Sequence, residues 1–161
     1  VKKVLFVCLG NICRSPAAQA IMENLIAKNG LEKFLACASA GLSSHHIGER
    51  PDSRMRQHGE ARGYSFNSLA KKFSPEFDFA NFDFILAMDH SNLNGLKNLT
   101  NNDEHLQKLH LICNFSRSRP ETEVPDPYYG GDAGFALVLD ILEDSCYGFM
   151  EHVRSTSPAG T

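Results

Sequence analysis

The sequence predicts an α/β fold built on parallel strands, and three observations carry that expectation. Val4-Leu5-Phe6-Val7 is apolar without alternation, as a strand buried on both faces of a parallel sheet would be. Strand-length apolar runs then alternate with amphipathic, helix-length segments along the chain, which calls for right-handed crossovers. Between the first strand and the first helix lies CLGNICRS, Cys8 to Ser15. A loop at the carboxyl end of such a strand borders the crevice where open α/β sheets bind ligands.

Size and charge narrow the possibilities. The 161 residues are read as one domain, 1–161, long enough to bury roughly two thirds of the unfolded surface. A net charge of −3 argues against nucleic acid or a polybasic membrane surface as partner. No apolar run approaches a bilayer span and no secretory signal is visible. Five cysteines, an odd number, suggest a reducing compartment, and the cytoplasm is the expected location. No C-x-x-C pair occurs, and His45-His46 lack partners at ligand spacing, so neither a metal nor another cofactor is expected.

The loop from Cys8 has a physical use. So short a connection turns backbone N–H groups inward and adds the positive end of the following helix, which makes a nest for an anion. Gly10 can supply a positive φ, and Asn11 is among the few other residues that tolerate one. Arg14 offers a planar fork for two oxygens of a phosphate-like group. The same surroundings favour the thiolate of Cys8, so nucleophile and anion site coincide.

The remaining elements follow in order. Ser15 is the expected N-cap and Pro16 the first helical residue, with Ala18, Ile21, Met22, Leu25 and Ile26 as the apolar stripe and Asn29-Gly30 as the stop. Phe34 to Ser39 reads as the second strand, with small Ala40-Gly41 at its exit letting the backbone pass close to the first loop. Leu42 to Asp52 is a polar rim loop, and Asp52 or Ser53 caps a short helix ending near Gly59 or Gly63. Ser74-Pro75 opens another helix through Phe79; Asp83 to Met88 is the third strand, and Asp89 is read only as the cap of the helix after it. Leu109 to Cys113 is the fourth strand. The last helix runs from Asp132 to about Arg154, with Cys146 in its core stripe and 155–161 as a frayed tail.

VLFVCLGNICRSPAAQA, the SAG of Ser39 to Gly41 and VPDPYY of Val124 to Tyr129 together resemble the low-molecular-weight protein tyrosine phosphatases over nearly the whole chain. The resemblance implies a Rossmann-like sheet of four parallel strands in the order 2-1-3-4, with helices on both faces. It implies Cys8 as nucleophile, with Arg14 and the loop Leu9, Gly10, Asn11, Ile12, Cys13, Arg14 and Ser15 binding phosphate. Asn11 and Ser39 would brace that loop, and Ser15 would donate to the departing thiolate. Asp126, stiffened between two prolines, would protonate the leaving phenol. Ile12, His45, Tyr128 and Tyr129 would line the substrate cleft, His45 standing where the family carries an aromatic wall. Asn67 and Lys72 replace the His and Arg that the family commonly shows in that segment.

The expected activity is therefore hydrolysis of phosphotyrosine in proteins or peptides through a phosphocysteine, with phosphate and related oxyanions as inhibitors. A monomer is expected, with a weak dimer left open. Cys13, five residues after Cys8, is close enough in sequence to form a reversible disulfide with it. Three alternatives stay open: an arsenate reductase, a phosphoarginine phosphatase, whose relatives carry Thr where this chain has Ile12, and a non-catalytic phosphotyrosine-binding or phosphocarrier module.

Overall fold

The computed structural model describes residues 1–127 and 131–156. Four parallel strands, Lys2–Cys8 (β1), Leu35–Gly41 (β2), Phe84–Ala87 (β3) and Leu109–Leu111 (β4), form one sheet in the order β2-β1-β3-β4, which is the predicted order. The helices are Arg14–Lys28 (α1), Ser53–Ala61 (α2), Pro75–Asn81 (α3), His90–Lys97 (α4), Asp103–Leu106 (α5) and Asp132–Thr156 (α6).

β1 is central, so both of its faces are buried and the unbroken apolar run is explained. Val4 and Phe6 pack with α1 and α6 on one face, while Leu5 and Val7 pack with Phe79 of α3 and Leu96 of α4 on the other. Val4 to Val7 are all at 0% exposure, and each such side chain contributes about 1.5–3 kcal/mol of burial. This double burial holds the carboxyl end of β1, and with it Cys8, in the middle of the sheet's ligand-binding edge.

Several boundaries differ from expectation. α1 starts at Arg14, one residue before Ser15, and its N-cap is Cys13 with no side-chain cap bond. Ser15 lies inside the helix because its hydroxyl is used at the Cys8 sulfur 3.0 Å away. β2 runs on to Gly41, beyond Ser39, because Gly41 bridges to Lys72 and continues the strand's pairing. β4 ends at Leu111, and Ile112–Phe115 form a 3-10 turn. The short α5 was not expected; Asn102 caps it by accepting from Glu104 and His105 N–H. Asp52 caps α2 and Gly30 takes φ 62° after α1, both as predicted. α6 continues through Ser155 and Thr156, whose hydroxyls donate to the His152 carbonyl and hold the last turn. Residues 157–161 of the expected tail lie outside the described residues. Among the described residues no helix is long and apolar enough to cross a membrane.

Candidate active site

The orientation of the Cys8–Ser15 loop follows from where its carbonyls go. The carbonyls of Cys8, Leu9 and Ile12 accept from Leu42, Ser43 and Asp52 N–H at 3.1, 2.8 and 2.7 Å. With those oxygens turned outward to the rim segment, the loop's N–H groups are left for the interior, where the unpaired first-turn donors of α1 also point. Close approach requires Gly41: a Cβ there would lie 2.9 Å from the Leu9 oxygen and 3.0 Å from Asn11 N. The positive φ falls on Asn11 (58°) and not on Gly10, whose missing side chain instead leaves room for the His46 ring.

Asn11 is held in that conformation through both polar atoms of its side chain. Its Nδ2 donates to Ser15 Oγ at 2.8 Å and Ser39 Oγ at 3.0 Å, and its Oδ1 accepts from Lys71 N–H at 3.0 Å. Its own N–H points at Cys8 Sγ, 3.3 Å away. The Ser15 hydroxyl reaches the same sulfur. The Asn11 N–H and the Ser15 hydroxyl thus converge on Cys8 from the loop and from α1, and with the sulfur ionised both donate to it.

Arg14 is 3% exposed and its guanidinium is placed from three sides. Nη1 donates to Asp89 Oδ2 at 2.7 Å and to the Val124 carbonyl at 2.9 Å, while Nη2 lies 3.8 Å from Asp126 Oδ2. Asp89 therefore does more than cap α4. One oxygen accepts from Asn92 N–H and the other from Arg14, a role the sequence reading did not assign. The clue available was position alone: an acid directly after the third strand lies on the edge that carries Cys8.

The general-acid candidate sits on a tethered segment. Val124 N–H donates to the Met88 carbonyl at 2.8 Å, and Glu123 accepts from both N–H and Nδ1 of His90, at 2.6 and 2.8 Å. Asp126 itself keeps 45% of its side chain exposed, so it can meet a substrate arriving from solvent.

Cys8, Arg14 and Asp126 line one cavity of about 280 Å³, with Leu9, Gly10, Ile12, Cys13, Ser43, His45 and His46 around them. His46, which the sequence reading did not place in the cleft, is there beside His45 and is paired with Glu49 at 2.9 Å. Tyr128 and Tyr129 lie outside the described residues. Among the described residues Asn67 has no part in the site's hydrogen bonds; Lys72 contributes its backbone bridge to Gly41. A larger, more open hollow of about 710 Å³ between α1 and α6 contains none of these groups.

The other thiols are held in their protonated form. Burial, with Asp52 and Cys8 adding to it, pushes the Cys13 thiol far above its usual range. Burial likewise pushes Cys37 up to about 12 and raises Cys146, which is wholly enclosed. None of the five cysteines is in a disulfide.

Comparison with known proteins agrees with this geometry. The family model described as "Low molecular weight phosphotyrosine protein phosphatase" matches residues 3–159. A Synechocystis sp. protein is 49% identical over 144 residues, 89% of this chain and 91% of its own length. The crystal structure of a protein tyrosine phosphatase from Entamoeba histolytica superposes with a TM-score of 0.92 at 44% identity, covering 96% of this chain and 98% of that one. A Drosophila arginine phosphatase superposes with a TM-score of 0.88 at 35% identity, covering 96% and 99%.

Proposed function

The chain belongs to the low molecular weight phosphotyrosine protein phosphatase family, and we propose that it hydrolyses phosphotyrosine monoesters through a phosphocysteine on Cys8. The observation that carries this reading is the convergence of the Asn11 N–H and the Ser15 hydroxyl on a sulfur that shares its cavity with Arg14 and Asp126. The Cys8 thiolate attacks phosphorus in line as the phosphorus–phenol bond breaks. Loop N–H groups and Arg14 hold the three equatorial oxygens, where the transition-state charge is spread. Asp126 gives its proton to the departing phenol, then takes one from the water that attacks the phosphocysteine. The sulfur leaves as a thiolate that Ser15 receives by hydrogen bond.

The substrates are phosphotyrosine-bearing proteins or peptides, and phosphate and similar oxyanions compete for the same nest. Ile12 on the cavity wall supports a phenyl ring over a guanidinium. Phosphoarginine is the second reading, favoured by the likeness to the Drosophila arginine phosphatase. The raised thiols of Cys37 and Cys146 speak against an electron relay of the arsenate-reductase kind. The protein acts as a single-domain monomer in the cytoplasm. Peroxide oxidises Cys8 to the sulfenic acid, itself becoming water; the Cys13 sulfur then displaces a second water to form the Cys8–Cys13 disulfide, reversed by thiols.

Turnover of p-nitrophenyl phosphate in EDTA, followed by parallel assay of phosphotyrosine peptides and free phosphoarginine, tests the reading. Turnover should persist in EDTA, vanish in Cys8→Ser with phosphate binding retained, and favour phosphotyrosine. Activity surviving Cys8→Ser, or faster release from phosphoarginine, overturns it.

A further inference from the structure

The polar contacts around Asn11 do not end at Ser39. Ser39 Oγ donates to Gln19 Oε1, 2.6 Å away and one and a half turns into α1. Hydrogen inventory then sets the direction of each bond back to the sulfur. Ser39 has one proton, and Gln19 Oε1 takes it, leaving a Ser39 lone pair for Asn11 Nδ2. The other hydrogen of Asn11 Nδ2 occupies a lone pair of Ser15 Oγ. Ser15 keeps its own proton for Cys8 Sγ at 3.0 Å; the competing Ala40 carbonyl is farther, at 3.5 Å.

We propose that Gln19 is a positioning residue for the Cys8 chemistry: as the terminal acceptor of the chain Asn11, Ser39, Gln19, it takes the Ser39 proton, fixes the Asn11 amide between Ser39 and Ser15, and so leaves the Ser15 proton for the sulfur. Gln19 is only partly buried, whereas Asn11, Ser15 and Ser39 are at 2%, 0% and 3% exposure. It is thus the one member that can be exchanged without opening the core. Without its oxygen, the Ser39 proton loses its acceptor, and an unpolarised Ser39 hydroxyl is a weaker acceptor for the Asn11 NH₂. The strain passes to the Ser15 hydroxyl, and the thiolate loses part of a hydrogen bond that favours its charged form. The titratable groups that share the cavity with the sulfur, namely Cys13, Arg14, His45, His46 and Asp126, are untouched by the exchange.

The inference rests on Cys8 being the nucleophile, so the experiment reads the sulfur without needing turnover. Iodoacetamide alkylation of Cys8, followed by mass analysis of the loop peptide across pH, gives the midpoint for the wild type, Gln19→Leu, Gln19→Met, Ser39→Ala and the double variant Gln19→Leu/Ser39→Ala. Both Gln19 variants should raise the midpoint by about half to one pH unit, which is roughly a three- to tenfold loss of thiolate below it. Because Gln19 acts through Ser39, the double variant should match Ser39→Ala alone. A merely structural role would lower thermal stability, leave the midpoint in place and add to the Ser39 effect. An unchanged midpoint in both Gln19 variants, or additive shifts in the double variant, overturns the proposal. Loss of p-nitrophenyl phosphate turnover with the wild-type midpoint as expected would count against the phosphatase reading instead.

Discussion

Replacing Asp89 with Asn removes the charge that faces Arg14 while keeping the shape and the cap. Arg14 sits at 4% side-chain exposure against 23% for Asp89, with 2.7 Å between them. Removing one partner of a buried pair costs about 3–5 kcal/mol because the other charge is left uncompensated. Two features reduce that here. Asp89 is partly solvated, and Asn remains an excellent N-cap through its amide oxygen, although its NH₂ then faces the guanidinium as a second donor. The expected loss is therefore about 2 kcal/mol, and Asp89→Ala should cost about 1 kcal/mol more through the lost bond to Asn92 N–H. Arg14 keeps the Val124 carbonyl, so its fork tilts without leaving the site. Misalignment of a transition-state ligand by a fraction of an ångström should lower kcat/KM for p-nitrophenyl phosphate about tenfold. Inorganic phosphate, meeting one negative charge fewer, should bind at least as tightly. Urea unfolding at unchanged m-value, initial rates and phosphate inhibition measure the three quantities. A stability change within about 0.5 kcal/mol together with an unaltered kcat/KM would show that the loop and Val124 hold Arg14 unaided.

Asp126→Asn should slow esters of poorly acidic phenols far more than p-nitrophenyl phosphate; equal losses across a leaving-group series would refute the acid role. Gly148→Ala would drive a Cβ to 1.8 Å from the Phe115 backbone oxygen, so α6 must shift. The expected cost is about 3 kcal/mol, seen as a fall of about 6–12 °C in Tm. Acid should destabilise the protein. Hydrogen bonds hold Asp144 (from Arg117, Ser118 and Arg119) and Asp52 (from Arg54 and Met55) below the usual carboxylate range, against the upward push of burial. Folded carboxyls that are harder to protonate than unfolded ones stabilise above the ordinary carboxylate range, and that contribution is lost as pH falls through it; Glu23, raised by burial, opposes weakly. Urea midpoints from pH 6 to 3 should fall, and Asp144→Asn should flatten the slope.

What the sequence alone determined about this protein is what short-range chemistry can encode. The double burial of β1 is written in four consecutive apolar residues. The anion loop is written in Cys8, Arg14 and the Gly10-Asn11 pair between them, and the stop of α1 in Asn29-Gly30. These features depend on contacts within one element or one turn, so local pattern suffices. Only the tertiary structure decided the rest. Arg14 meets Asp89, 75 residues away, because parallel pairing of β1 with β3 brings both carboxyl ends to the same edge. The hydroxyl of Ser15 was readable as a cap from its place beside Pro16, yet the folded loop directs it to the sulfur, and Cys13 takes the cap position instead. Nothing local marks Gln19, which gains its role because β2 lays Ser39 against α1. In each case the deciding partner is distant in sequence, and a polar side chain goes to whichever partner the packed backbone brings within about 3 Å.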